Sequence, residues 1–226
     1  MTESNNSIKE SIFSRIPLSA KHKLDKLTEL RNLEVALLDN DNKNRDTLFS
    51  DQLSTAFIKR IETGLVLGTT CELLASAKCI PIALSSFLDK HSLPQRVALQ
   101  QSAFLLPLNW NGIDISEDVV NEESVSVCLA DYGIAETASV VIRSAPDMPI
   151  LLSFLASYQI IILKRSNILA YLEDYGHLNA QLVAQNKTPR NTSFITGCSG
   201  TTDIEGVLVQ GAHGPKLVHI FIIDQE

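Results

Sequence analysis

Apolar residues follow two patterns along this chain, one typical of buried strands and one typical of amphipathic helices. The clearest strand signals are the continuous apolar runs at residues 160–163 and 218–223, because strands covered on both faces need apolar side chains on both. Residues 97–99, in a strand predicted from Arg96, and residues 140–142 are two further apolar runs, and residues 124–129 alternate small polar and apolar side chains with period two. The pattern therefore predicts at least five strands.

Helical spacing lies between these strands. Leu53, Phe57 and Ile61 recur on one face of a helix predicted over residues 51–62, with Gly64 as its stop signal. Pro81 opens a second helix over residues 82–90, and a third is capped at Ser166 or Asn167. Residues 65–67 are predicted as a short buried strand. Residues 69–72 are predicted to cap a helix that continues to residue 77. Strands alternating with helices indicate an α/β fold, with a mainly parallel sheet between helical layers.

The first fifty residues have a different character. Ile8, Ile12 and Ile16 form the apolar stripe of a short helix that ends at Pro17. Residues 39–46 are a polar run typical of a surface connection. We therefore predict an N-terminal helical extension with a polar linker at residues 1–50 and an α/β domain at residues 51–226.

Composition and charge narrow the range of functions. The 226 residues are 45% hydrophobic and 20% charged, with a formal net charge of −7. This acidic balance argues against nucleic acid and against anionic lipid as main partners. The polar N-terminus is unlike a secretory signal, and no 18-residue apolar span occurs, so we expect a cytoplasmic chain without membrane insertion. The four cysteines are scattered with no C-x-x-C pair, so we predict no metal site and no cofactor held by this chain.

Candidate chemistry is concentrated in two clusters near predicted strand ends. One surrounds residues 132–139, and the other is the glycine-rich stretch at residues 195–215. Glycine-rich turns and hydroxyls are suited to holding a carboxylate or phosphate, and paired carboxylates to acid–base or nucleophilic work. The candidate catalytic residues are Glu136, Asp203 and Glu205. The candidate ligand-binding residues are Tyr132, Thr137, Thr196, Gly197, Ser199, Thr201, Thr202, His213 and Gly214.

Structural roles for the same residues remain open. Asp203 is also suited to capping a helical turn, Glu136 to holding a turn or pairing with a cation, and His213 to a purely structural contact. No Ser-His-Asp triad, P-loop or G-x-G-x-x-G motif can be assembled from these clusters. We expect the two clusters to meet in space, with the Glu136 and Asp203 side chains within roughly 15 Å, a few strand spacings.

Two blocks carry a resemblance to a known family. The segment I-T-G-x-S-x-T-x-D-I-E at residues 195–205, continuing as V-L-V-x-G-x-H-G-P at residues 207–215, resembles the C-terminal signature of the LUD-domain family, and within it the lactate utilization protein C branch. The block A-D-Y-G-I-A-E-T at residues 130–137 is similar to an internal block of the same family. The match is loose elsewhere along the chain and specific in these two blocks.

The resemblance implies a three-layer α/β/α sandwich like that of the sugar-isomerase and CoA-transferase group. It also implies a role in oxidising L-lactate to pyruvate beside two iron–sulfur partner proteins that carry the redox clusters. Two alternatives stay open at this point. One is an enzyme of the CoA-transferase or sugar-phosphate isomerase kind with Glu136 as nucleophile or base. The other is a sensor or assembly protein, self-associating or not, that binds a small carboxylate or phosphate without turnover.

This chain departs from the family pattern at two positions. Gly200 stands where the family usually has an arginine, the natural bidentate partner of a carboxylate or phosphate. Ala138 stands where the family usually has a glycine. An alanine there requires a negative φ angle or introduces strain.

Overall fold

A computed structural model describes residues 50–64, 66–119, 124–202 and 208–225. The predicted N-terminal helix around Ile8, Ile12 and Ile16, the polar linker, and the candidate residues Asp203 and Glu205 lie outside the described residues. The division of the chain at residue 50 stays a prediction. No helix within the described ranges is long and apolar enough to cross a membrane.

The described chain contains three α-helices and twelve strands. The helices are α1 (Ser50–Glu62), α2 (Ile80–Lys90) and α3 (Leu172–Ala184). The strands are β1 (Thr69–Ser76), β2 (Arg96–Leu99), β3 (Asp114–Ser116), β4 (Val125–Leu129), β5 (Tyr132–Ile134), β6 (Ser139–Arg143), β7 (Tyr158–Lys164), β8 (Ile168–Leu169), β9 (Thr192–Ile195), β10 (Gly200–Thr202), β11 (Leu208–Gln210) and β12 (Leu217–Gln225).

Six strands form the central sheet in the order β1-β12-β7-β4-β2-β3, and every neighbouring pair is parallel. β7 and β12 are flanked on both sides, and their central residues are buried on both faces, which explains their continuous apolar sequence. The predicted α/β fold with a mainly parallel sheet flanked by helices is confirmed.

Each face of the central sheet carries its own core. On one face, Ile160, Ile162 and Phe221 pack with Leu84 and Leu88 of α2. On the other, Ile161, Leu163, Ile220 and Ile222 pack with Phe57 of α1, together with apolar residues of a second sheet. Alternate residues of the same strands therefore contribute to different cores.

The second sheet has four strands in the order β8-β5-β6-β9. It lies against the central sheet where Gly133 approaches Leu163, since a Cβ at Gly133 would be 2.7 Å from Leu163 Cδ2. The outer face of this sheet is covered by α3, where Tyr175 packs with Ile134 and Val141. Thus a small sheet contributes to one of the outer layers, a feature that the sequence pattern did not indicate.

Three local predictions were wrong. Residues 66 and 67 lie in a bend and a turn that precede β1, and they do not form the predicted buried strand. Residues 69–76 form strand β1, which pairs with β12 over its whole length, instead of capping a helix. At the edge of the described sheet, β1 alternates half-buried and exposed positions only over residues 69–72, and Leu73 is exposed while Leu74 is buried, a mixed pattern that is hard to distinguish from an amphipathic helix over eight residues. The third helix begins at Leu172 behind a Tyr171 cap, since Ile168 and Leu169 belong to β8.

Candidate functional site

The glycine-rich stretch crosses the amino-terminal edge of the central sheet. It leaves β9 at Thr196, forms the β10–β11 hairpin, and returns to enter β12. Three backbone hydrogen bonds anchor it: the Cys198 amide donates to Leu67 O at 2.8 Å, the Ser199 amide to Pro215 O at 2.8 Å, and the Lys216 amide to Ser157 O at 2.7 Å. Leu67, Ser157 and Lys216 come just before β1, β7 and β12, so the stretch lies at the amino-terminal edge of the sheet. Open α/β sheets most often bind ligands at the opposite edge, at the carboxyl ends of the strands.

Two glycines permit this path. Gly197 has φ +93°, and a Cβ there would lie 2.7 Å from the carbonyl oxygen of Leu67. Gly211 has φ +79°, and a Cβ there would lie 2.2 Å from Lys216 Cγ. Side chains rarely adopt such φ angles, and neither position has room for one. The glycine density noted in the sequence thus reflects close backbone approach.

Hydroxyl groups join the two predicted clusters. Ser139 begins β6 and Thr196 follows β9, and their hydroxyls are hydrogen-bonded at 2.5 Å because these strands pair antiparallel. Thr137 Oγ1 extends the chain, 2.7 Å from Ser139 Oγ. The prediction that the clusters meet is therefore confirmed at these hydroxyls. The Glu136–Asp203 separation stays a prediction, because Asp203 is outside the described residues.

A cleft of about 380 Å³, which we call the motif cleft, opens beside this hydroxyl chain. Its wall includes the predicted ligand-binding residues Thr196, Gly197, Ser199, His213 and Gly214. Ser199 accepts a hydrogen bond from the His213 amide at 3.4 Å, and Gly214 passes close by, since a Cβ there would lie 3.2 Å from Ser199 Cβ. Phe154, Phe194 and Gln159 also line the cleft.

The remaining predicted residues lie apart from this cleft. Glu136 is exposed in the turn between β5 and β6, and its carboxylate accepts a hydrogen bond from the Leu172 amide at 3.4 Å, at the first turn of α3. A carboxylate at a helix N-terminus is a stabilising arrangement. Thr201 is exposed in β10, opposite Val209, and Thr202 is next along the same strand. Tyr132 packs edge-on against Tyr175, with ring centroids 5.8 Å apart.

A second polar cleft, of about 310 Å³, lies at the carboxyl edge of the sheet. It lies just beyond the ends of β2 and β4, which are neighbours in the central sheet. The next strand of this sheet after β2 is β3, on one side of the pair, and the next after β4 is β7, on the other side. Here Asp131 Oδ1 accepts hydrogen bonds from Arg143 Nε at 2.9 Å and Nη2 at 2.6 Å, while Oδ2 accepts from the Arg143 amide at 2.8 Å. Burial on its own would lower the pKa of Arg143, but the hydrogen bonds to Asp131 and the negative charge of that carboxylate together raise it. Tyr132 borders this cleft with Gln100 and Lys164.

Burial keeps the thiols of Cys71, Cys128 and Cys198 in their neutral form. Burial raises the pKa of Cys128 to about 12 and that of Cys71 to about 11, and it also raises the pKa of Cys198. A thiolate is the nucleophilic form of cysteine, so these groups behave as small apolar side chains. Among the residues that the structure describes, no group of three or more His, Cys, Asp or Glu side chains could hold a metal ion.

Comparison with known proteins places this geometry in a family. The LUD domain model matches residues 117–223, which contain both sequence blocks. The uncharacterized protein YkgG of Escherichia coli (strain K12) is 32% identical over 204 residues, covering 81% of this chain and 85% of that protein. The chain belongs to the LUD domain family.

Other relatives of this LUD chain match over a shorter length. Lactate utilization protein C of Bacillus subtilis (strain 168) is 30% identical over 120 residues, or 51% of this chain and 50% of that protein. The protein of the same name from Shouchella clausii (strain KSM-K16) is 28% identical over 119 residues, 52% of each. The chain thus matches about half the length of these two relatives.

A solved structure supports the LUD fold. The crystal structure of a DUF162 family protein from Deinococcus radiodurans superposes with a TM-score of 0.55 at 16% identity, covering 78% of this chain and 99% of that one. At this identity the likeness concerns the fold alone.

Sequence reasoning missed several polar residues of the LUD domain. Asp131 and Arg143 are twelve residues apart and meet only because β5 and β6 form a hairpin. Gln159 was missed because the strand that contains it was predicted from the apolar run beside it. A glutamine beside the run Ile160–Ile161–Ile162 is the signal that could have revealed it, because buried polar groups need a partner.

Proposed function

We propose that this chain supports lactate utilization as the component of an L-lactate oxidation system that holds no iron–sulfur cluster. The observation that carries the proposal is the similarity to proteins named lactate utilization protein C. In this proposal two iron–sulfur partner proteins carry the redox centres, and the chain acts in the cytoplasm. The motif cleft is the proposed site for a small carboxylate.

Growth on L-lactate tests this function. Deleting the gene from its host should abolish or slow growth on L-lactate as sole carbon source, while growth on pyruvate stays normal. Pyruvate is the matched control because it enters metabolism after the oxidation step. Restoring the gene should restore growth. Normal growth on L-lactate in a deletion strain without a paralogue would contradict the proposal.

The lining of the motif cleft favours a second candidate, a protein that binds a small acid without converting it. Thr196 and Ser199 supply hydroxyls and His213 an imidazole, and these groups hold a carboxylate by hydrogen bonds. Incubating the purified chain with L-lactate and following the ligand by NMR separates the two roles. Binding with no change in the ligand, alone or with the partner proteins, would support the binding role.

An enzyme of the CoA-transferase or isomerase kind remains a third proposal, with Glu136 as nucleophile or base. Glu136 is exposed and directly precedes Thr137 of the hydroxyl chain in the sequence. Glu136→Gln keeps an oxygen that can accept from the Leu172 amide, so the fold should be retained. A rate of turnover that is unchanged in this variant would remove Glu136 from the reaction.

A further inference from the structure

Gln159 is a buried glutamine in the wall of the motif cleft. It is the second residue of β7, directly opposite Ser126 of β4 in the parallel register, and its side chain is 0% exposed. Its Nε2 donates a weak hydrogen bond to Cys128 Sγ at 3.8 Å. Its Oε1 has no hydrogen-bond partner among the described residues, and neither does the neighbouring Ser126 Oγ.

An orphaned amide oxygen at this depth is unusual. Nearly all buried polar side-chain atoms have a partner, and each exception calls for an explanation, such as a functional role or a water or ion bound at that atom. The other groups in the wall of the cleft indicate how such a partner is placed. Thr196, Ser199 and His213 are polar groups suited to a carboxylate, and Phe154 offers an apolar surface. Gln159 lines the same cleft, so the remaining substituents of a small acid held in this way are the groups available to its orphaned oxygen.

The chemistry of the orphaned atom restricts those substituents. An amide oxygen accepts hydrogen bonds and cannot donate one. It is therefore satisfied by a ligand with a hydroxyl group and not by the corresponding keto compound, whose oxygen is also only an acceptor. A 2-hydroxy acid and a 2-keto acid have nearly the same size and charge, so this single atom distinguishes them.

We propose that Gln159 selects small 2-hydroxy acids in the motif cleft, its Oε1 accepting a hydrogen bond from the hydroxyl at C2 of the ligand. This inference rests on the proposed function, because lactate utilization supplies a 2-hydroxy acid as the ligand class. It adds the residue that separates the hydroxy acid from its oxidised product. Gln159 is a specificity-determining residue in this proposal and takes no part in bond making or breaking.

Calorimetric titration of the 226-residue chain with three acids tests the proposal. L-Lactate carries the C2 hydroxyl, propionate lacks it, and pyruvate replaces it with a keto group. The wild-type chain should bind L-lactate about 10- to 100-fold more tightly than either of the others, the range expected when a buried acceptor is left unpaired. Equal affinity for the three acids, or binding of none, would overturn the inference.

The variant Gln159→Leu removes the acceptor and keeps the volume of the side chain. It should bind L-lactate and propionate within about twofold of each other, because neither ligand then meets an orphaned oxygen. Gln159→Met serves the same purpose if the leucine variant does not fold. Gln100→Leu is the matched control: this glutamine is also buried, but it lies at the carboxyl edge and its Oε1 is paired with the Leu129 amide at 2.8 Å. It should keep the preference for lactate.

The outcomes separate this inference from the proposed function. If Gln159→Leu keeps the full preference for L-lactate, a buried water satisfies Gln159 and the inference is wrong, whatever the growth phenotype. If a deletion strain without a paralogue grows normally on L-lactate, the proposed function is wrong. A preference for glycolate over acetate that is lost in Gln159→Leu would then still support selection of 2-hydroxy acids by this residue.

Discussion

The most direct test of the motif geometry is the substitution Gly197→Ala. Two separate features of the structure oppose a methyl group at this position. The backbone has φ +93°, a conformation that costs an alanine roughly 1–2 kcal/mol. The added Cβ would also lie 2.7 Å from the carbonyl oxygen of Leu67, which is a backbone atom that a rotamer change cannot move.

The second feature has its own cost. Leu67 O accepts the hydrogen bond from the Cys198 amide at 2.8 Å, so moving that carbonyl away from the new methyl group stretches this bond. Losing a backbone hydrogen bond of this kind costs about 0.5–1.5 kcal/mol. The two effects together predict that Gly197→Ala lowers the free energy of unfolding by about 1.5–3.5 kcal/mol.

Urea denaturation followed by circular dichroism measures the change, with two glycines as controls. Gly112 has φ +89° and Gly176 lies inside α3, and at neither would a Cβ meet a heavy atom of the described chain within 4 Å. Gly112→Ala should therefore show the conformational cost alone, about 1–2 kcal/mol. Gly176→Ala should stabilise the protein by roughly 0.5–1 kcal/mol, because alanine is the better helix former.

The difference between the first two variants isolates the close approach of the loop to Leu67. If Gly197→Ala costs no more than Gly112→Ala, the contact between the glycine-rich stretch and the residues before β1 is not formed as described. A similar cost at Gly176 would mean that the measured changes do not report local backbone geometry at all.

Three further predictions concern stability, pH dependence and ligand binding. Ala138 has φ +53° while Ala135 in the same turn does not have a positive φ, so Ala138→Gly should leave the protein about 1–2 kcal/mol more stable than Ala135→Gly in the same urea assay. Burial, with the nearby charges of His91 and Lys90, lowers the pKa of His219 to about 4 from an ordinary value near 6.5. As the pH falls, the unfolded chain therefore binds a proton at this histidine before the folded chain does. The free energy of unfolding should therefore be highest above pH 6.5 and fall by about 2–3 kcal/mol between pH 6.5 and 4.5. The difference in this free energy between wild type and His219→Gln should change by the same amount over this window. A constant difference would contradict the assignment. Gly200→Arg restores the arginine that the family block usually has, and a Cβ at this position would meet only side-chain carbons, the nearer being a Leu67 methyl at 2.9 Å. This variant should bind L-lactate roughly tenfold more tightly than Gly200→Gln does. Equal affinities of the two variants would show that position 200 does not face the ligand.

The buried strands of the central sheet were predictable from the sequence because their environment is uniform. β7 and β12 are covered on both faces, so every central side chain is apolar and the run is visible without knowing the neighbours. β1 was not predictable in this way. Among the described strands it lies at the edge of the sheet and pairs with β12 alone, and its mixed pattern becomes a strand only through that pairing.

The candidate site divides in the same manner. Glycines with positive φ, such as Gly197 and Gly211, are visible in the sequence because the requirement acts on the residue itself. The partner of Ser139 is not visible, since Thr196 is 57 residues away and is brought to it by the pairing of β6 with β9. Tyr132, predicted beside these hydroxyls, lies instead at the polar cleft of the opposite edge.

By itself the sequence determined the family, the alternation of strands and helices, and the glycine-rich and hydroxyl-rich blocks that form the motif cleft. These follow from local requirements, because periodicity, backbone conformation and short motifs are properties of neighbouring residues. Only the tertiary structure decided that the glycine-rich stretch crosses the amino edge of the sheet, that a second sheet covers one face, and that Gln159 borders the cleft with an unpaired oxygen. These depend on contacts between distant segments, where strand order and register place side chains that the local pattern treats as independent.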